Sequence, residues 1–94
     1  MNNKELKINI IRSALDDVAI LDALNKKEKK EMVHDIYNTL CTYPFSSPKN
    51  LDDCYMSIAR KFIYLIVYGF SKKATSSNLK KAIKCIEYAH SLLS

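Results

Sequence analysis

The groups in this chain that could act as nucleophile, general base or metal ligand near neutral pH are few: two histidines, three cysteines and ten carboxylates. Their spacing forms no catalytic set. His34 sits beside Asp35, and Asp16-Asp17 and Asp52-Asp53 are sequence neighbours. On a helix adjacent residues diverge, so none of these pairs makes a dyad. Asp52 and Asp53 read instead as first-turn acids that complement a helix dipole. His90 falls in phase with Ile83 and Ile86 and reads as a core-edge histidine. No serine lies in a Gly-x-Ser-x-Gly elbow. Cys41, Cys54 and Cys85 are odd in number and far apart. Without C-x-x-C or H-x-x-x-H spacing they read as small buried hydrophobes rather than zinc ligands. The one glycine, Gly69, excludes a phosphate-cradling loop and a dinucleotide fingerprint. An enzyme is not expected, and neither is a cofactor or metal.

The residues suited to binding are aromatics set among cations. With successive helix positions 100° apart, Lys80, Lys81, Lys84, Tyr88 and Ser91 share an arc of about 100°. Ser57, Arg60, Lys61, Tyr64 and Tyr68 share the side of an earlier helix opposite Phe62 and Ile66. Tyrosines interleaved with basic groups suit a protein or nucleic-acid interface. The ordinary alternative is that the tyrosines pack under the first helix or a loop and leave only their hydroxyls wet. With Lys72 and Lys73 added, the partner-binding candidates are Arg60, Lys61, Tyr64, Tyr68, Lys72, Lys73, Lys80, Lys81, Lys84 and Tyr88.

Four helices must position these groups. The first spans about Lys4 to Leu21, with Ile8, Ile11, Leu15 and Val18 as its stripe, widened by Ile10, Ala14 and Leu21. Asn25 with Glu28 fits a capping box opening a second helix that runs to about Tyr43. Its apolar side is Met32, Val33, Ile36, Leu40 and Tyr43. Tyr43-Pro44-Phe45-Ser46-Ser47-Pro48 is the clearest loop, with Ser47 as N-cap and Pro48 as first helical residue. The third helix spans about Lys49 to Phe70 on a stripe of Leu51, Tyr55, Ile58, Ala59, Phe62 and Ile66. It turns apolar nearly all round after Phe62 and is expected to be the most buried. Ser76 or Ser77 caps the fourth, which runs to about Leu93 and turns Leu79, Ala82, Ile83, Ile86, Ala89 and Leu93 inward. Short connections then give an all-α, antiparallel up-down four-helix bundle in one domain over residues 1–94.

Ninety-four residues leave room for one core. The net charge of +5 is unevenly placed. Residues 1–45 balance seven Lys/Arg against seven Asp/Glu, while residues 46–94 carry eight against three and hold the whole excess. Such a half can face nucleic acid, an anionic membrane or an acidic protein patch, or only solvent. The uncharged run Phe62–Phe70 is half or less of the ~20 residues that span a bilayer, and the N-terminus carries early charges unlike a secretory signal. A cytoplasmic place is expected, in part at the inner membrane surface. A small basic helical nucleic-acid-binding or regulatory protein is the competing function, although no recognition-helix turn is visible.

The order of features resembles the immunity proteins of pediocin-like (class IIa) bacteriocins, the enterocin A immunity family. The likeness lies in the length and the Val33-His34-Asp35-Ile36-Tyr37 to Leu40 helix. It continues through the Tyr43-Pro44-Phe45 and Pro48 loop, the Phe62-Ile63-Tyr64-Leu65-Ile66-Val67-Tyr68 helix and the closing Leu79 to Leu93 helix. It covers about residues 30–93. The resemblance implies a cytoplasmic four-helix bundle that acts without catalysis. Its implied partner is the membrane-embedded mannose phosphotransferase permease, with bacteriocin bound, where it blocks the lethal pore. Nucleic acid is not an implied partner. Specificity would lie in the C-terminal half, which here carries the +5 with Tyr64, Tyr68 and Tyr88. The chain stops at Ser94, nearly flush with the last helix, so contacts of a longer tail do not carry over.

Overall fold

The computed structural model describes residues 2–46, 49–69 and 75–94, with backbone only at 75. Four α-helices follow in order: α1 (Asn3–Ala19), α2 (Lys26–Cys41), α3 (Leu51–Tyr68) and α4 (Thr75–Leu93). A 3-10 turn, Leu21–Ala23, joins α1 to α2. Each helix packs on the next and α1 packs on α4, while the diagonal pairs α1/α3 and α2/α4 stay apart. That closed ring is an up-down four-helix bundle. It measures 37 × 22 × 18 Å, as expected for helices of 16–19 residues rising 1.5 Å per residue.

Local chemistry sets several boundaries. Asn2 caps α1 by accepting the Glu5 N–H at 2.8 Å. The capping box of α2 forms in both directions, between Asn25 and the Glu28 N–H at 2.9 Å and between Glu28 and the Asn25 N–H at 3.1 Å. Other boundaries correct the sequence reading. α2 ends at Cys41, and Tyr43 is buried from the loop beyond it. α3 opens at Leu51 with Asn50 at the N-cap, later than the Lys49 start expected; Ser47, Pro48 and Phe70 lie outside the described residues. α4 already includes Thr75, so Ser76 and Ser77 sit in its first turn rather than capping it. At the end of α3 a Cβ on Gly69 would overlap the Leu65 carbonyl oxygen, so only glycine fits that backbone.

The largest fully buried side chains come from all four helices: Ile11, Ile36, Leu40, Met56, Ile63 and Ile86. Ala14, Ala59, Ala82 and Ala89 are buried between them, and their small size lets the backbones approach. The inward stripes expected of α2 and α4 are observed, except that Ile83 is half-buried and lies outside the core. In α1, which ends at Ala19, the widening residues Ile10 and Ala14 are buried together with Ile11, and Leu21 is buried from the 3-10 turn, while Leu15 and Val18 lie at the core's edge and Ile8 is only half-buried.

α3 departs most from its pattern. Its buried face is Asp52, Asp53, Met56, Ala59 and Ile63. Of the expected stripe, only Ala59 is fully buried; Leu51 is 61% exposed and Ile58 44% exposed. The helix is turned by about one residue, roughly 100°, from the face expected. Nor is it the most buried helix after Phe62, because Tyr64, Leu65 and Tyr68 are exposed. The cause is a charge. Lys7 on α1, only 5% exposed, reaches across the diagonal to α3. Its Nζ donates to Asp52 Oδ2 at 2.8 Å, Asp53 Oδ1 at 3.0 Å and Ser46 Oγ at 3.2 Å. All three ammonium protons are therefore used. Buried charges persist only when paired and hydrogen-bonded, so α3 must turn both aspartates inward.

Loop residues complete this node. The Tyr43 hydroxyl donates to Asp52 Oδ2 at 2.7 Å, and its ring lies 5.5 Å from Lys7 Nζ. The Ser46 N–H donates to Asp53 Oδ2 at 3.0 Å. One cation between two carboxylates leaves a negative excess, which the first turn of α3 favours through its dipole. The sequence reading separated Asp52 from Asp53; they diverge only enough to grip the same ammonium from two sides.

Two pKa shifts follow from this burial. Desolvation pulls the Lys7 ammonium down, but its hydrogen bonds and charge pairs with Asp52 and Asp53 outweigh that, and its pKa rises above the ordinary 10.5. Burial, then the hydrogen bond to Asp52, pushes Tyr43 well above its ordinary 10.0. In both cases the folded state holds the proton more tightly. Their stability contribution is complete below about pH 10 and drains away as pH rises through the folded values. Denaturation at pH 8 and pH 11 should therefore show a decline of up to about 1.4 kcal/mol per pH unit per group above pH 10. Tyr43→Phe should flatten part of it. Equal stability at both pH values would contradict the buried node.

Candidate functional site

The candidate cations and tyrosines, expected on two separate helix faces, occupy both shoulders of α3. On the α2 side, Tyr64 and Tyr68 pack on Tyr37, with ring centroids 5.9 and 5.8 Å away, and on each other at 4.9 Å. His34 meets Tyr68 edge-on at 6.3 Å, and its Nδ1 lies 3.3 Å from the Asn38 amide nitrogen. The expected support under the first helix or a loop is thus replaced by α2. Arg60 lies over the Phe45 ring, 4.6 Å from its centroid. On the α4 side, Tyr88 packs on Tyr55 at 5.4 Å, and Lys81 Nζ lies 5.7 Å from the Phe62 ring centre. Tyr64, Tyr68 and Tyr88 all remain about half exposed. Lys61, Lys80, Lys81 and Lys84 are exposed, and Lys80, Lys81 and Lys84 form no ion pair among the described residues. These three line a shallow cleft of about 510 Å³ with Ser76 and Ser77. Lys72 and Lys73 lie outside the described residues.

Between the two shoulders runs a ridge, two of whose residues, Leu51 and Ile58, the sequence reading placed in the core. Leu51, Ile58 and Leu65, spaced seven residues apart, point outward at 61%, 44% and 43% exposure. Exposed Lys61 lies in the same strip. The signal that could have found it is the pair Asp52-Asp53: one apolar stripe of α3 must face out if two carboxylates face in. That signal needs a buried partner to be read, and Lys7 lies 45 residues away.

The surface has a one-sided charge. Of the three carboxylates after residue 45, Asp52 and Asp53 are buried on Lys7 and only Glu87 is exposed. Lys49, Lys61, Lys80, Lys81 and Lys84 are all exposed. Turning the acids inward thus makes the surface of this half more basic than its sequence.

Among the described residues, no group of three His, Cys, Asp or Glu gathers to hold a metal ion. His90 lies at the core's edge, and its Nε2 is buried without a hydrogen-bond partner there. The cysteines differ from expectation: Cys41 and Cys54 are exposed, and only Cys85 is half-buried, with its thiol pKa raised by burial. No disulfide joins the three. Serine at 41 and 54 should change stability by less than about 0.5 kcal/mol, whereas Cys85→Ser should cost about 1–3 kcal/mol by burying a hydroxyl. Thermal melts of the single variants check this ranking.

The arrangement is a four-helix bundle with aromatic and cationic side chains standing out from both shoulders of one helix. No family model matches the chain, and no curated protein or solved structure is significantly similar to it. No helix of the described residues is long and apolar enough to cross a membrane.

Proposed function

We propose that the protein is an immunity protein of the pediocin-like bacteriocin class, a binding module without catalysis. It would work in the cytoplasm at the mannose phosphotransferase permease, with bacteriocin bound, and block the pore. The observation that carries this reading is the basic second half of the chain. It holds Tyr64, Tyr68 and Tyr88 half exposed on helix shoulders beside exposed lysines. Half-exposed tyrosines fixed by a neighbouring ring lose little entropy on binding and make good interface anchors. The four-helix bundle and the order of sequence features fit the same class. Intracellular expression in a sensitive strain, challenged with a panel of pediocin-like bacteriocins, tests it. Survival against one member of the panel is expected. Killing by every member, with the protein folded and abundant, would remove the reading.

A further inference from the structure

The outward ridge of α3 has no partner within the chain. Its apex is apolar: Leu51, Ile58 and Leu65 in register over two heptads. Aromatic rings form the shoulders, with Tyr64 and Tyr68 on one side and Tyr55, Phe62 and Tyr88 on the other. Cations stand on or beside them at Lys61, Lys81 and Lys84. Both carboxylates of α3 are buried, so this helix presents no exposed acid. A second copy of the chain is a poor occupant, because two such faces would bring like charges together. From apex to flank the face passes from aliphatic side chains to aromatic rings, with ammonium groups among and beside the rings. That is the layering of a bilayer interface, where acyl chains lie below aromatic residues and cations meet lipid phosphates. A convex ridge also needs a groove in a rigid protein partner, whereas a fluid bilayer conforms to it.

We infer that the α3 ridge docks the protein on an anionic membrane surface, with Leu51, Ile58 and Leu65 entering the interface. Lys61, Lys81 and Lys84 contact lipid phosphates. The chain lies on the membrane and does not span it. This goes beyond the immunity reading, because it requires neither bacteriocin nor permease.

The test is co-sedimentation of the full chain with protein-free vesicles of phosphatidylglycerol and phosphatidylcholine in equal parts, and with pure phosphatidylcholine vesicles. Binding is expected to the first only, and to weaken as salt rises. Each cation at such a surface contributes roughly a fivefold gain in partitioning. Lys61→Glu/Lys81→Glu should therefore reduce binding more than tenfold. Leu51→Ser/Ile58→Ser/Leu65→Ser alters exposed residues, and circular dichroism would confirm that it folds. It should lose binding to a similar degree with net charge unchanged. Failure to bind anionic vesicles overturns the inference. So does a serine variant that binds as tightly as the parent, which would mean adsorption by charge alone. Loss of vesicle binding in a chain that still protects cells would remove this inference and leave the immunity reading standing.

Discussion

Lys7→Met should cost the bundle about 3–5 kcal/mol, the largest stability loss expected of any surface-remote single change described above. The substitution nearly preserves volume, so the loss is electrostatic. Asp52 and Asp53, adjacent and buried, would lose the ammonium held at 2.8 and 3.0 Å. Tyr43 and Ser46 would remain as their donors, and two neutral donors do not hold two buried charges. A domain of this size has only about 5–15 kcal/mol of stability in total. At roughly 4–8 °C per kcal/mol the melting temperature should fall by more than ten degrees. Asp52→Asn/Asp53→Asn in the same chain should recover much of the loss, because the neutral amides remove the stranded charge and can still accept from Tyr43 and Ser46. Urea denaturation of the parent, the single and the triple variant decides the matter. A single variant within about 1 kcal/mol of the parent would mean that this node does not hold α3 in its register.

Lys80→Glu/Lys81→Glu/Lys84→Glu should abolish protection of a sensitive strain while leaving the fold intact. The three side chains are exposed, and the core of α4 is built from Leu79, Ala82, Ile86, Ala89 and Leu93 without them. Exposed charges contribute little to folding, so stability should change by less than about 1 kcal/mol. The net charge falls from +5 to −1, and an acidic partner then meets like charge. Tyr88→Ala should weaken protection separately. It removes the half-exposed ring packed on Tyr55 while leaving every charge in place. Survival counts beside thermal melts give both readings. Full protection by both variants at normal expression would place the working surface elsewhere, on the Tyr64–Tyr68 shoulder or away from α3 and α4.

Much of the scaffold is legible in the residues themselves, because its signals are local. The capping box at Asn25 and Glu28 needs three residues of context. The stripe of Leu79, Ala82, Ile86 and Ala89 repeats at helical spacing on a helix with few competing apolar positions. Pro44 and the absence of apolar periodicity mark the break between α2 and α3. The concentration of positive charge after residue 45 is a count. Those features determine an all-α bundle and a basic second half. The rotation of α3 is different. This helix carries two apolar stripes, Leu51-Ile58-Leu65 and Met56-Ala59-Ile63, and hydrophobic spacing alone favours neither face decisively. The choice is made by one ammonium 45 residues away in sequence, which can be buried only if two aspartates turn to meet it. Tertiary structure therefore decides which stripe is core and which is surface, and with it the ridge that remains exposed. Lys7 reads in the sequence as one more polar residue of an amphipathic helix, because the cost of burying a charge depends on partners that only the folded chain brings within 3.0 Å.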